Sequence, residues 1–185
     1  MNGGNSSLVN ALGYLSVVKD ESGNRIGGLL VLGDSGRPLE FHCTAPVRPN
    51  RAQEILYGPL LEEYLCGEQI GQALVAALSL PATLLLTDQT EILGLRHFIP
   101  HPVIQVGASS GNAADDEGQT GLPQLAFVER RGVQLSVRFE YEEDLIIASD
   151  LIESLGTSFD IIEPFERIHD AIVEAHGGGR QRSVA

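Results

Sequence analysis

Apolar positions come early in short, β-prone runs: LGYLSVVK at 12–19, IGGLLVL at 26–32 and PLEFHCT at 38–44, divided by ESGN and GDSG. Asp, Ser, Gly and Asn supply side-chain-to-backbone hydrogen bonds and positive φ at low cost. The spacing therefore predicts a three-stranded antiparallel meander. In PLEFHCT the period of two places Leu39, Phe41 and Cys43 on one face, expected to be the apolar one, and Glu40, His42 and Thr44 on the other. His42 and Cys43 therefore diverge.

Prolines 46 and 49 end the third run, and Asn50 is placed to cap a helix. Helical periodicity over 50–79 is interrupted at Gly58-Pro59, which predicts a broken helix. PATLLLTD reads as a central strand, QTEILGLRHF as a short helix and HPVIQVG as another strand, so 82–107 forms a βαβ unit with parallel strands. QLAFVE and VQLSVRFEY flank Arg130-Arg131-Gly132 as a hairpin. In the second of these, Val133, Leu135, Val137, Phe139 and Tyr141 alternate with polar residues as in a half-exposed strand. Helices follow over about 142–155 and 163–176.

The fold class is thus α/β with a mixed sheet: meander, broken helix, βαβ unit, C-terminal hairpin and two helices. Along the chain, 1–11 reads as a flexible N-terminus, 12–107 as the α/β core, and 108–122, small, polar and Gly-rich, as a flexible linker. The stretch 123–176 is expected to pack on the same domain, with 177–185 a disordered tail.

Composition narrows the chemistry. Net charge is −13, and all but one of the 12 cations are Arg, leaving Lys19 alone for ammonium chemistry. A strand-binding protein is expected to show a basic patch, so the charge disfavours nucleic acid. The opening residues lack a cationic start and an unbroken apolar run, and do not read as a signal peptide. Two cysteines without framework spacing suit a reduced, cytoplasmic protein. GDSGRP at 33–38 approaches the serine box of trypsin-like proteases, but no His precedes Ser35 and the segment suits a hairpin turn. His97, His101, Cys43 and Cys66 have no CxxC or HxxxH spacing for zinc.

The element order β-β-β-α-β-α-β over 12–107, with NRAQE at a helix start and LLLTD ending the fourth strand, resembles the ribonuclease H-like fold. The resemblance implies metal-binding carboxylates on the first strand, the first long helix and the end of the fourth strand. Asp20, Glu54 and Asp88 occupy comparable places, and Mg2+ or Mn2+ would be the implied cofactor. Such a set could hold two ions that activate water and stabilise a leaving oxygen. Each residue also has a commoner role: a turn for Asp20, a solvated helix position for Glu54, a cap for Asp88.

Between Glu140 and Glu174 the acidic side chains face a single cation, Arg167, on two amphipathic helices. This face suits a basic protein partner, with Glu166, Asp170 and Glu174 as docking candidates. From sequence, the leading expectation is a non-catalytic protein-interaction module without cofactor. The alternative is a divalent-metal phosphodiesterase of ribonuclease H-like type using Asp20, Glu54 and Asp88.

Overall fold

The computed structural model describes residues 11–108 and 123–177. The flexible N-terminus, linker and tail expected at 1–11, 108–122 and 177–185 lie, apart from residues 11, 108 and 177, outside the described residues.

β1 (Leu12–Lys19), β2 (Arg25–Leu32) and β3 (Pro38–Cys43) form the antiparallel meander. Its second turn, GDSG, closes with Gly33 N–H donating to Arg37 O at 3.0 Å and Gly36 at φ +76. β4 (Leu84–Thr87) joins β1 in parallel, and β5 (Val103–Ala108) joins β4 in parallel. β6 (Leu125–Arg130) and β7 (Val133–Arg138) make the hairpin, whose turn residues Arg131 and Gly132 both take positive φ, as a tight hairpin turn requires. The seven strands form one mixed sheet, ordered β3-β2-β1-β4-β5-β7-β6.

Two expectations about individual strands change. β7 lies between β5 and β6 and is mostly buried, and it stops at Arg138, with Phe139–Tyr141 turning into a 3-10 helix. On β3 the face carrying Leu39, Phe41 and Cys43 is exposed, whereas Glu40 and His42 are half-buried. β3 is an edge strand, and Glu40 faces the loop at Ser79 and Leu80, whose backbone N–H groups it accepts at 2.8 and 2.9 Å.

The helical region breaks as its Gly-Pro pair predicts. α1 (Arg51–Tyr57) is capped by Asn50, which accepts from Gln53 N–H while the Gln53 side chain accepts from Asn50 N–H. Gly58, at φ +50, ends it. A 3-10 turn (Gly58–Leu60), α2 (Leu61–Glu63), a π-helical stretch (Tyr64–Gly71) and α3 (Gln72–Ala77) follow. The expected short helix after β4 is 3-10, Thr90–His97. α4 (Asp144–Ser154) and α5 (Glu163–Gly177) complete the chain.

These helices cover opposite faces of the sheet. α4 and α5 bury Leu151, Ile152, Phe165, Ile168 and Ile172 against Leu12, Tyr14, Leu30, Leu86 and Leu135. The π-helical stretch, α3 and the 3-10 helix bury Ile70, Leu74, Ile92 and Leu95 against Leu15, Val17, Leu29 and Leu85. Gly27 and Gly28, adjacent in β2, face one layer each. A Cβ on Gly27 would stand 2.2 Å from Ile70 Cγ2, and one on Gly28 would stand 2.6 Å from Ile168 Cγ2.

Polar ties fix the ends. Arg131 donates to the carbonyls of Ile152 and Gly156 at 3.1 and 3.0 Å, and at longer range to Leu155, Thr157 and Phe159. It thereby supplies donors to the carbonyl-rich end of α4. Buried Asp144 accepts from Arg96 at 2.7 Å, joining α4 to the 3-10 helix. Among the described residues no helix is long and apolar enough to cross a membrane.

Candidate site at the carboxyl edge of β1 and β4

In an open α/β sheet, crevices form just beyond the carboxyl ends of the strands where the strand order reverses. Here that place is the β1–β4 junction, flanked by antiparallel β2 on one side and parallel β5 on the other. The ladder's last rung is Leu15↔Thr87. One residue further on each strand come Ser16 and Asp88.

Ser16 is fully buried on the face covered by α5, in a row otherwise formed by Leu12 and Tyr14. Its Oγ lies 2.9 Å from His169 Nε2, a hydrogen bond whose direction follows the imidazole tautomer. The same nitrogen is 3.6 Å from Asp88 Oδ2, while Asp88 Oδ1 is buried without a hydrogen-bond partner. The His169 side chain is 46% exposed and that of Asp88 27%, so solute can reach the imidazole and part of the carboxylate. A hydroxyl, an imidazole and a carboxylate thus meet at one nitrogen atom. A Ser-His-Asp triad would instead place the carboxylate on Nδ1, and a serine this buried offers no accessible nucleophile.

The corner that carries Asp88 is fastened on both sides. Gln89 Oε1 accepts from Val17 N–H at 2.8 Å, and Gln89 Nε2 donates to Val17 O at 3.0 Å. Gln89 N–H donates to Thr87 Oγ1 at 3.2 Å. Thr90 Oγ1 donates to Gln105 Oε1 on β5 at 3.1 Å.

The three carboxylates singled out from sequence are not brought together. Asp20 lies past the end of β1, four residues and so about 13 Å of extended chain beyond Ser16. Its carboxylate accepts from Asn24 N–H and Nδ2 at 2.9 and 2.7 Å, and the Asn24 side chain, then its backbone, hold the carboxyl below its usual range. Glu54 is exposed on α1 and bridges to Arg51 at 2.9 Å. Only Asp88 is at the edge. Among the described residues no group of three or more His, Cys, Asp or Glu is placed to hold a metal ion. The Mg2+ or Mn2+ cradle of Asp20, Glu54 and Asp88 therefore does not fit this arrangement: Asp20 turns both oxygens to Asn24, and Glu54 bridges to Arg51 on exposed α1.

Other sequence candidates also separate. Ser35 sits in the β2–β3 turn at the rim of an open cleft with Asp34, Phe159, Asp160, Glu163 and Arg167. Cys66 is buried, and burial pushes its thiol up to about 12, far from thiolate chemistry. Glu166, Asp170 and Glu174 lie on the exposed face of α5. The two site members that sequence reasoning missed are Ser16 and His169. The signal for Ser16 was a lone hydroxyl in an apolar strand row, and for His169 an imidazole directly after Ile168 on the docking side of α5.

No protein-family model and no curated protein matches the chain. Among solved structures it is similar to Ciona intestinalis endonuclease V in complex with a DNA containing an inosine followed by a ribo-adenosine. That match has 13% identity, covers 72% of each chain and has a TM-score of 0.42. Human endonuclease V matches at 12% identity over 94% of this chain and 87% of that one, with a TM-score of 0.46. Marinitoga piezophila Argonaute in complex with guide RNA matches at 12% identity over 88% of this chain and 26% of that one, with a TM-score of 0.34. The sheet order β3-β2-β1-β4-β5, with β2 antiparallel, keeps the resemblance to the ribonuclease H-like fold that the element order carried. The expectation of a non-catalytic protein-interaction module with a basic protein partner, and with nucleic acid disfavoured, is corrected: the similar structures are of endonuclease V, one in complex with DNA, and of Argonaute in complex with guide RNA. The sequence argument used net charge, which does not locate where on the surface a strand could lie.

Proposed function

We propose that the chain acts on a nucleic-acid strand laid along the carboxyl edge of β1 and β4 and hydrolyses its phosphodiester backbone. The observation that carries this reading is the meeting of Asp88 Oδ2 and Ser16 Oγ at His169 Nε2, where the strand order reverses. In this reading His169 takes a proton from the attacking water as the new P–O bond forms, and a proton returns to the leaving oxygen as the ester P–O bond breaks. Asp88 Oδ2 faces the protonated ring at 3.6 Å, and Ser16 fixes its orientation. Exposed Lys19, at the same end of β1, supplies local positive charge in a chain of net charge −13. Were Mg2+ or Mn2+ to accompany the strand's phosphates, Asp88 would be the edge carboxylate that could share in holding it, and the ion would neutralise phosphate charge. A cytoplasmic setting belongs to the same reading, supported by free Cys43 and Cys66.

The test is cleavage of end-labelled single- and double-stranded DNA and RNA in Mg2+ buffer. Asp88→Asn and His169→Gln should each lower the rate by about 100-fold or more. Asp20→Asn and Glu54→Gln should remain within about twofold of wild type, as surface substitutions do. Wild-type protein that cleaves none of these strands, or Asp88→Asn that cleaves as wild type does, overturns the reading.

A further inference from the structure

A parallel ladder that stops at Leu15↔Thr87 leaves the next backbone donor and acceptor of β1 facing the gap where β4 has turned away. Such groups need partners when buried. Val17 is buried, and both its N–H and its C=O are met by the primary amide of Gln89 at 2.8 and 3.0 Å. The side chain thus stands in for a missing rung. Few other side chains could do so, because the rung needs one donor and one acceptor on a planar group, which among side chains a primary amide provides.

We infer that Gln89 is the positioning residue of the edge site, holding the Asp88 carboxylate against His169. This rests on the reading of Asp88 and His169 as the site. Asp88 is the single residue between Thr87, a paired and buried strand residue, and Gln89, anchored to β1 through its side chain and to Thr87 Oγ1 through its N–H. With Thr90 bonded to Gln105, the corner is tied to the strands on both sides. Asp88 Oδ1 has no partner, so the carboxylate's placement comes from the backbone that carries it. Removing the amide clasp frees that backbone and lets the carboxylate leave the imidazole.

The measurement is the His169 ring-nitrogen NMR signature at one fixed pH in wild type, Asp88→Asn, Gln89→Met and the Asp88→Asn/Gln89→Met double variant. Met keeps the length of Gln and removes both hydrogen bonds; Gln89→Glu keeps the acceptor for Val17 N–H and loses the donor. Gln89→Met should move the Nε2 resonance in the same direction as Asp88→Asn and by at least half as much. The double variant should match Asp88→Asn alone, and Gln89→Glu should fall between wild type and Gln89→Met. A Gln89→Met or Gln89→Glu protein that is destabilised while its His169 resonances stay at the wild-type position makes Gln89 merely structural and overturns the proposal. So does a His169 ring indifferent to Asp88→Asn, since no placement then exists to lose. The readout needs no substrate, so absence of strand cleavage would sink the proposed function and leave this test standing.

Discussion

Replacing Gly28 by Ala tests whether the height of α5 above the sheet sets the edge site. A Cβ there would stand 2.6 Å from Ile168 Cγ2 and 3.0 Å from Ile172 Cδ1. Carbon atoms pack at about 3.5 Å or more, so α5 must retreat by about 0.9 Å at Ile168. His169 is the next residue, and Ser16 is the cross-strand partner of Gly28. A retreat of that size stretches the 2.9 Å Ser16–His169 contact to about 3.8 Å, beyond hydrogen-bond range. Overpacking of this kind costs about 1–3 kcal/mol. The loss of glycine freedom in the unfolded chain offsets about 0.4–1 kcal/mol. The midpoints of these two ranges leave a net destabilisation of about 1.3 kcal/mol. Gly27→Ala is the control: its Cβ would meet Ile70 and Leu74 on the opposite face, at 2.2 and 2.9 Å. It should cost at least as much and leave His169 alone. Urea unfolding reads the first quantity and the His169 ring resonances the second. Gly28→Ala within about 0.5 kcal/mol of wild type, or Gly27→Ala disturbing His169 equally, would refute the reasoning.

Three further substitutions separate backbone strain from polar capping and fix a pH dependence. Arg131→Ala should cost about 2–3 kcal/mol, because two close charge-assisted bonds to the end of α4 are lost in a partly exposed setting. Arg131→Gly should cost about 1 kcal/mol less, because φ +51 is a left-handed conformation that glycine adopts freely; equal losses in urea would remove strain from the account. Glu40 is held down to about 2 by the His42 hydrogen bond first and the Ser79 and Leu80 N–H groups after it. A carboxyl lowered in the fold contributes stability above its unfolded value of 4.5 and loses it as pH falls toward about 2. Glu40→Gln should therefore lower Tm at pH 7 and match wild type near pH 2; an equal deficit at both would count against the carboxylate's hydrogen bonds as the cause.

Where local chemistry decides, the chain was readable. ESGN and GDSG announced the meander, Gly58-Pro59 the helical break, and LLLTD the buried parallel strand ending at Asp88. The exposed face of β3 was not, because alternation tells which residues share a face but not which face a distant helix covers. The tail of β7 misled for a related reason: Phe139 and Tyr141 continue the period of two, while the backbone turns after Arg138. Of the candidate edge site, Asp88 was singled out from its strand end, but its neighbours there depend on the β1–β4 register, which sets Ser16 rather than Asp20 beside it, and on α5 docking at Gly28. Neither is encoded in local spacing.

Ser16 and His169 are 153 positions apart in the chain, with Asp88 between them. During synthesis β1 through β5 can pair as soon as they emerge, setting Ser16 and Asp88 side by side. The imidazole follows about 80 residues after Asp88, which at ~5–20 residues per second is about 4–16 s later. A nascent or C-terminally clipped chain thus carries a sheet with its edge built but without the imidazole that the proposed reaction needs. Arrival of α5, rather than closure of the sheet, would complete the proposed site, and a separately supplied α5 peptide would be the natural means of completing a truncated one.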